Sequence, residues 1–116
     1  MARAAGVLVV DRSYVERHEV WVLEQEGEVA GFYSLIHHGE VSELDHLWLL
    51  PRHIGQGLGR PLFEHALQRA RMSGANRIEW EAEPNATGFY GRMGAQPLRE
   101  TTSSMGRTLT VMGRDL

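Results

Sequence analysis

Apolar and polar positions along this chain alternate as strands near both ends and recur at helical spacing in the middle. Val20-Trp21-Val22-Leu23 reads as a strand and Glu26-Gly27-Glu28 as a turn. Val29 to Ile36 reads as a second strand, with Gly31 as a candidate bulge. His38-Gly39-Glu40 is another turn, so these strands should form a hairpin and a third strand should follow. That third strand runs from about Val41 to Leu50. Its leucine-rich end predicts burial on both faces, and Pro51 closes it.

Beyond it, Leu62, Phe63, Ala66, Leu67 and Ala70 give a helix reaching about Met72 one apolar face. Pro61 fits the first turn of that helix, where no backbone donor is needed, and Ser73-Gly74 is its stop signal. From Arg77 to Glu83 the alternation is strict: Ile78, Trp80 and Ala82 against Glu79, Glu81 and Glu83. Pro84-Asn85 breaks that strand, and a short helix from about Ala86 to Met93 ends at Gly94. Segments near Gln96 to Thr101 and Thr108 to Met112 suggest a closing hairpin. At the front, Ser13-Tyr14-Val15-Glu16 matches a capping box, while Val7 to Val10 fits either a strand or a helix tail. The order predicts a mixed α/β sheet in one domain spanning residues 1–116, not a repeating doubly wound one.

Composition narrows the function classes. At 116 residues, 42% hydrophobic and 23% charged, the chain fits one ordinary globular domain with a small core. It contains no cysteine, which excludes disulfides, thiolate catalysis and cysteine metal sites. A net charge of −3 with no basic block argues against nucleic-acid binding. No apolar run approaches the roughly 20 residues of a membrane span, and the Val7–Val10 run stops at Asp11, short of a signal-peptide core. These features predict a cytoplasmic protein with no membrane partner. The six histidines show no ligand spacing, so no metal is expected.

Three glycines at alternate positions, Gly55, Gly57 and Gly59, lie between the buried strand and the helix. Glycine lets a backbone turn sharply and approach a ligand closely. A helix start presents unpaired N–H groups and a partial positive charge, which suits phosphate. The alternative is a plain tight turn. Gly59-Arg60-Pro61 lacks the Lys-Ser/Thr of a Walker loop, and G-x-G-x-G is not the dinucleotide spacing G-x-G-x-x-G.

A third pattern fits. His46-Leu47-Trp48-Leu49-Leu50-Pro51 followed by Ile54-Gly55-Gln56-Gly57-Leu58-Gly59-Arg60 resembles the signature strand and pyrophosphate loop of the GNAT acetyltransferase superfamily. Pro84-Asn85-Ala86 with Gly88-Phe89-Tyr90-Gly91-Arg92-Met93-Gly94-Ala95 resembles its second signature. The resemblance implies a central, mostly antiparallel mixed sheet that splays open after the signature strand, flanked by helices. It implies acetyl-CoA as co-substrate, with the pantetheine arm on backbone groups of Leu47, Trp48 and Leu49. The pyrophosphate would lie on N–H groups of Gly55, Gln56, Gly57, Leu58, Gly59 and Arg60. Asn85 would hydrogen-bond the arm, and Tyr90 would stand near the sulfur as acid to the departing thiolate. Where the family usually has Arg or Gln, Ile54 stands, and Arg52 or Arg60 would compensate. The family also places a strand and one or two helices ahead of the Val20 strand, where about twenty residues stand here. A shortened front would expose that strand's edge, and an exposed edge predicts a homodimer.

Transfer to an amine needs a base for the amine proton, a donor for the thioester oxygen and an acid for the leaving thiolate. The resemblance puts Glu43 where some relatives carry their base. Asp45, two residues on, shares its strand face unless a bulge intervenes, and two close acids push one pKa upward. Glu81 and Glu83 on the neighbouring strand are further candidates for the acceptor groove. Each acid also has a plain reading as a solvated surface residue. Strand parity puts His46 on the opposite face as a structural histidine, and places His37-His38 at a solvent-facing turn. Trp21, Trp48, Trp80 and Phe89 read as core. Acidic groove residues favour a cationic amine acceptor, small molecule or protein. The expected function is acetyl-CoA-dependent N-acetyl transfer; the alternative is a CoA-binding GNAT-like module without turnover.

Overall fold

A computed structural model describes residues 2–4, 18–51, 55 and 57–116. A seven-stranded sheet has the order β1-β2-β3-β4-β5-β7-β6. Its strands are β1 (Ala2–Ala4), β2 (Glu19–Gln25), β3 (Glu28–His38), β4 (Val41–Leu49), β5 (Arg77–Ala82), β6 (Gln96–Thr102) and β7 (Thr108–Asp115). All neighbours are antiparallel except β4 and β5. Helix α1 (Gly59–Met72) connects those two, and a 3-10 turn (Pro84–Ala86) leads into the short helix α2 (Thr87–Arg92). The capping box at Ser13–Glu16 and the Val7–Val10 run lie outside the described residues.

Local sequence explains the connections. Glu26 and Gly27 both have positive φ, +53° and +82°, as a two-residue type I′ hairpin turn requires. Gly39, at φ +80°, opens the second hairpin turn between His38 and Val41. Both helices end in a left-handed glycine, Gly74 and Gly94. Each is followed by the paired backbone bonds that close a helix end: Ala75 N–H to the Ala70 carbonyl (3.2 Å) and Ala95 N–H to the Tyr90 carbonyl (3.1 Å).

Leu62, Phe63, Ala66, Leu67 and Ala70 of α1 pack against Tyr33, Leu35, Leu44, Ile78, Trp80 and Met112 of the sheet, forming the main core. Val20, Val22 and Phe32 form a second buried cluster on the other face. Gly31 is not the bulged residue. The β2–β3 register skips at Ala30, and Gly31 permits close approach instead: a Cβ there would stand 2.4 Å from the Trp48 carbonyl oxygen.

Two further sequence expectations are overturned. The edge of β2 is not open, because Ala2–Ala4 pairs with Leu23, Val22 and Trp21; the front strand is present. Trp48 is not core but 39% exposed, because β4 carries a bulge. Ser34 pairs with His46 and Leu35 with Leu44, leaving Asp45 as the extra residue. The bulge shifts the parity of everything after it.

β2 is tied to α1 by one polar cluster. Glu19 accepts hydrogen bonds from Arg69, from Trp21 Nε1 (2.6 Å) and from His37 Nε2 (3.0 Å). Arg69 also lies 5.1 Å from the Trp21 ring centre. Burial opposes ionisation of Glu19, but the bonds from Arg69, Trp21 and His37 outweigh it and hold its carboxyl below the usual range. The contribution of Glu19 to stability is therefore present at neutral pH and fades as pH falls through the lowered value. Glu19→Gln should cost roughly 1–2 kcal/mol in urea unfolding at pH 7, and the gap to wild type should shrink steadily below about pH 4.

Candidate active site

β4 and β5 run side by side only briefly. Val41, Ser42 and Glu43 pair with Arg77, Ile78 and Glu79, and there the ladder ends. β4 continues to Leu49 and β5 to Ala82 without further pairing between them, so the two strands enclose a wedge. Each stays hydrogen-bonded on its outer side, β4 to β3 and β5 to β7. The inner edge of β4 beyond Glu43 has no strand partner among the described residues.

A cavity of about 340 Å³ fills the wedge, lined by Asp45, Leu47, Trp80, Glu81, Glu83 and Tyr90 among others. A second, about 480 Å³, continues from it along the glycine loop and is bordered by Leu47, Leu49, Gly55, Gly57, Leu58, Gly59, Arg60, Phe89 and Tyr90. Leu47 and Tyr90 line both, so they form one channel from the loop into the sheet. Gly55 and Gly57 have φ +88° and +77°, which favours glycine. Gly59 is close-packed for another reason: a Cβ there would press on the Phe89 ring at 3.1 Å. Among the described residues no side chain caps the start of α1, and its first turn holds no acid. A helix start of this kind favours an anion over a cation.

On the face away from α1 lies a third cavity of about 330 Å³, lined by His38, Val41, Glu43, Glu79, Trp80, Glu81, Arg99, Thr101 and Val111. It meets the wedge at Trp80 and Glu81, which line both. His38 Nε2 lies 3.1 Å from Glu43 Oε1. Asp45 Oδ2 lies 3.6 Å from His46 Nε2. Tyr90 packs against Trp80, with ring centres 4.9 Å apart, and against Phe63 at 5.7 Å. Burial pushes the Tyr90 phenol above its usual range, so it stays protonated at neutral pH.

The sequence-predicted residues divide between these spaces. Leu47, Leu49, Gly55, Gly57, Leu58, Gly59, Arg60 and Tyr90 are brought together along the channel. Trp48 points away, towards Phe32 on the other face, so its backbone alone stands at the channel. Gln56, Ile54 and Arg52 lie outside the described residues. Asn85 falls on the 3-10 turn, and its side chain lies outside the description. Glu43 and Asp45 do not share a cavity: the bulge intervenes, sending Glu43 to the outer cleft and Asp45 to the wedge. The same bulge returns His46 to the face of Glu43, correcting the parity argument. Glu81 and Glu83 do line the wedge, with Glu83 paired to Arg107. His38, Arg99 and Thr101 were not singled out as site residues. His38 comes in through the bend of the hairpin, and the other two through the pairing of β6 beside β7, which no local pattern announces.

The model of the Acetyltransferase (GNAT) family matches residues 6–95. The chain belongs to the GNAT acetyltransferase family. A Bacillus subtilis protein, named as a candidate ribosomal-protein bS18-alanine N-acetyltransferase, is 28% identical over 79 residues, covering 66% of this chain. The chain spans about half the length of that relative, 52%. Among solved structures, a GNAT acetyltransferase from Elizabethkingia anophelis with acetyl-CoA bound superposes with a TM-score of 0.81 at 15% identity, over 90% of this chain and 80% of that one. The IAA acetyltransferase from Bacillus cereus gives 0.77 at 20% identity, over 90% and 81%. These two likenesses show the fold. The mixed, mostly antiparallel sheet expected from sequence is therefore the fold observed. No helix among the described residues is long and apolar enough to cross a membrane, and no group of acids and histidines among them could hold a metal ion.

The suppressed ionisation of Tyr90 has an optical signature. Alkaline titration followed at 295 nm should show Tyr90→Phe losing a phenol step that lies above about pH 10; a lost step at the ordinary value would contradict the burial argument.

Proposed function

We propose that this chain is an acetyl-CoA-dependent N-acetyltransferase in which the acceptor amine attacks the thioester directly. The observation that carries this reading is the continuous channel from the glycine loop into the β4–β5 wedge, meeting a carboxylate-lined cleft from the opposite face at Trp80 and Glu81. Two substrates entering from the two faces would meet there.

The residues present fit acetyl-CoA. The start of α1, uncapped and free of acid, suits a pyrophosphate on N–H groups of residues 55–60. The unpaired inner edge of Leu47, Trp48 and Leu49 suits the amide-bearing pantetheine arm. When bound, acetyl-CoA supplies an activated acyl carbon with thiolate as leaving group. A backbone N–H on β4 near Leu49 would hold the carbonyl oxygen as negative charge develops. Glu43, with His38 as its neighbour, would take the proton of the attacking amine. Asp45, on the wedge side, is the alternative base. Tyr90, protonated at neutral pH, would give its proton to the sulfur as the C–S bond breaks and the new C–N bond forms. The products are an N-acetylated amine and the free thiol of CoA.

The acceptor is an amine of a small molecule or a protein. The Bacillus subtilis relative is named for transfer to an alanine of a ribosomal protein, which supports an amine as the acceptor. A cytoplasmic location is part of the same reading, since acetyl-CoA is an intracellular metabolite. The expected homodimer loses its first argument, because β1 occupies the edge of β2. Light scattering across concentrations decides it.

Isothermal titration with acetyl-CoA should show one site, and Gly57→Glu, folded by circular dichroism, should lose it. Tyr90→Phe should keep acetyl-CoA affinity but lower kcat by about 10²-fold or more. Glu43→Gln should lower kcat by about 10-fold or more while leaving acetyl-CoA affinity unchanged. Binding without transfer to any amine would favour the CoA-binding module instead. A folded chain that does not bind acetyl-CoA would overturn both readings.

A further inference from the structure

We propose that the acceptor is a small amino acid, an amine bearing its own carboxylate, and that Arg99 selects it by pairing with that carboxylate. This rests on the acetyl-transfer reading above and names its substrate class.

The outer cleft is not uniformly acidic. Of its three glutamates, Glu79 is already engaged. It accepts from Arg77 at 2.7 Å and from Arg99 Nη2 at 3.4 Å, and its side chain is 15% exposed. Glu43 faces His38 at 3.1 Å. The Glu81 side chain has no hydrogen bond or ion pair with any described residue, and it lines both the cleft and the wedge. It is therefore the bare carboxylate at the point where the acceptor nitrogen must arrive.

Arg99 stands across from it. In the sheet register Glu81 of β5 pairs with Val111 of β7, and Val111 pairs with Arg99 of β6. The three residues thus lie in one row on one face, with Glu81 and Arg99 two strand spacings apart, about 10 Å between backbones. Val111 is the apolar floor between them. The Arg99 side chain is 61% exposed and uses one nitrogen on Glu79. A guanidinium offers five N–H donors, so a carboxylate can still be held in the fork that suits it. Glu79 acts as the post that keeps Arg99 in the cleft.

This row is a charge template. It offers an anion for an ammonium at the wedge and a cation for a carboxylate at the far side, with Thr101 nearby as a further hydroxyl. A diamine or polyamine would set its second cation against Arg99, which selects against it. An amine without an acid group would leave the guanidinium unmatched. The row also explains why a strand as exposed as β6 contributes to a cleft at all: it contributes through Arg99 and Thr101.

The test compares acceptors in matched pairs. CoA thiol release is followed with a disulfide dye, which gives no protein background because the chain has no cysteine. The panel holds α- and ω-amino acids, the carboxamide of each, and a diamine. The best amino acid should exceed its own carboxamide in kcat/KM by roughly ten- to hundred-fold, the loss expected of one charge-assisted pair. Arg99→Gln should bring that ratio close to one while leaving KM for acetyl-CoA unchanged, and Arg99→Lys should restore part of it. A purely structural role, through the Glu79 pair, would lower all acceptors alike and leave the ratio intact. Three results overturn the proposal: a carboxamide or diamine equal to the acid, a preference that survives Arg99→Gln, or acetyl-CoA binding with no amino acid acetylated. Absence of acetyl-CoA binding is a separate result, since it removes the transferase reading itself.

Discussion

The hydrogen-bond accounting of two strands governs this fold. A strand can leave its neighbour only if its backbone groups are satisfied elsewhere. β5 is paired with β7 along its whole length, Arg77 to Ala82. β4 is paired with β3 from Val41 to Leu49. Both are therefore held from outside, and the parallel ladder between them can stop at Glu43–Glu79 without collapse of the sheet. The insertion of β7 beside β5, rather than a helix or an open edge, makes the wedge possible. The inner edge of β4 is left with a row of backbone groups, which an amide-bearing ligand would satisfy.

The bulge at Asp45 works with that opening. It rotates β4 at the point where the strand departs, so that Ser42, Leu44, Leu47 and Leu49 face the α1 side, while Glu43, His46 and Trp48 face the other. Charge and apolar surface are sorted accordingly. The stretch of channel along the glycine loop is lined mainly by leucine, phenylalanine, tyrosine and glycine, with Arg60 at its border. The cleft on the opposite face is lined by Glu43, Glu79, Glu81 and Arg99. A ligand with a long neutral arm and an anionic head fits the first, and a charged acceptor fits the second. Trp80 and Tyr90 pack at the crossing, and the burial that holds Tyr90 in its acid form comes from this packing.

The rest of the molecule holds these surfaces in place. Helix α1 is fixed at its middle by Phe63 against Trp80 and Tyr90, and near its end by Arg69 on Glu19. His65, on the same helix, receives the Tyr33 hydroxyl; burial and the nearby Arg69 lower its pKa, which keeps Nδ1 available as an acceptor. The helix start that faces the channel therefore cannot shift without disturbing both the core and the β2 contact.

The sequence by itself determined what depends on near neighbours. The turns at Glu26-Gly27 and Gly39 were legible because few residues tolerate positive φ. The helix at residues 59–72 was legible from its apolar spacing and its Ser73-Gly74 stop, and β5 from strict alternation. The glycine loop and Tyr90 carry the family signature, and both border the channel. What depends on pairing between distant segments was decided only in three dimensions. The bulge that separates Glu43 from Asp45 arises from register with β3 and leaves no mark in the local pattern. The β1 strand over the β2 edge joins residues about twenty apart, and the β5-β7-β6 order brings Arg99 into a row with Glu81. Local propensity acts through the few residues around a position, whereas strand register is chosen by the sheet as a whole.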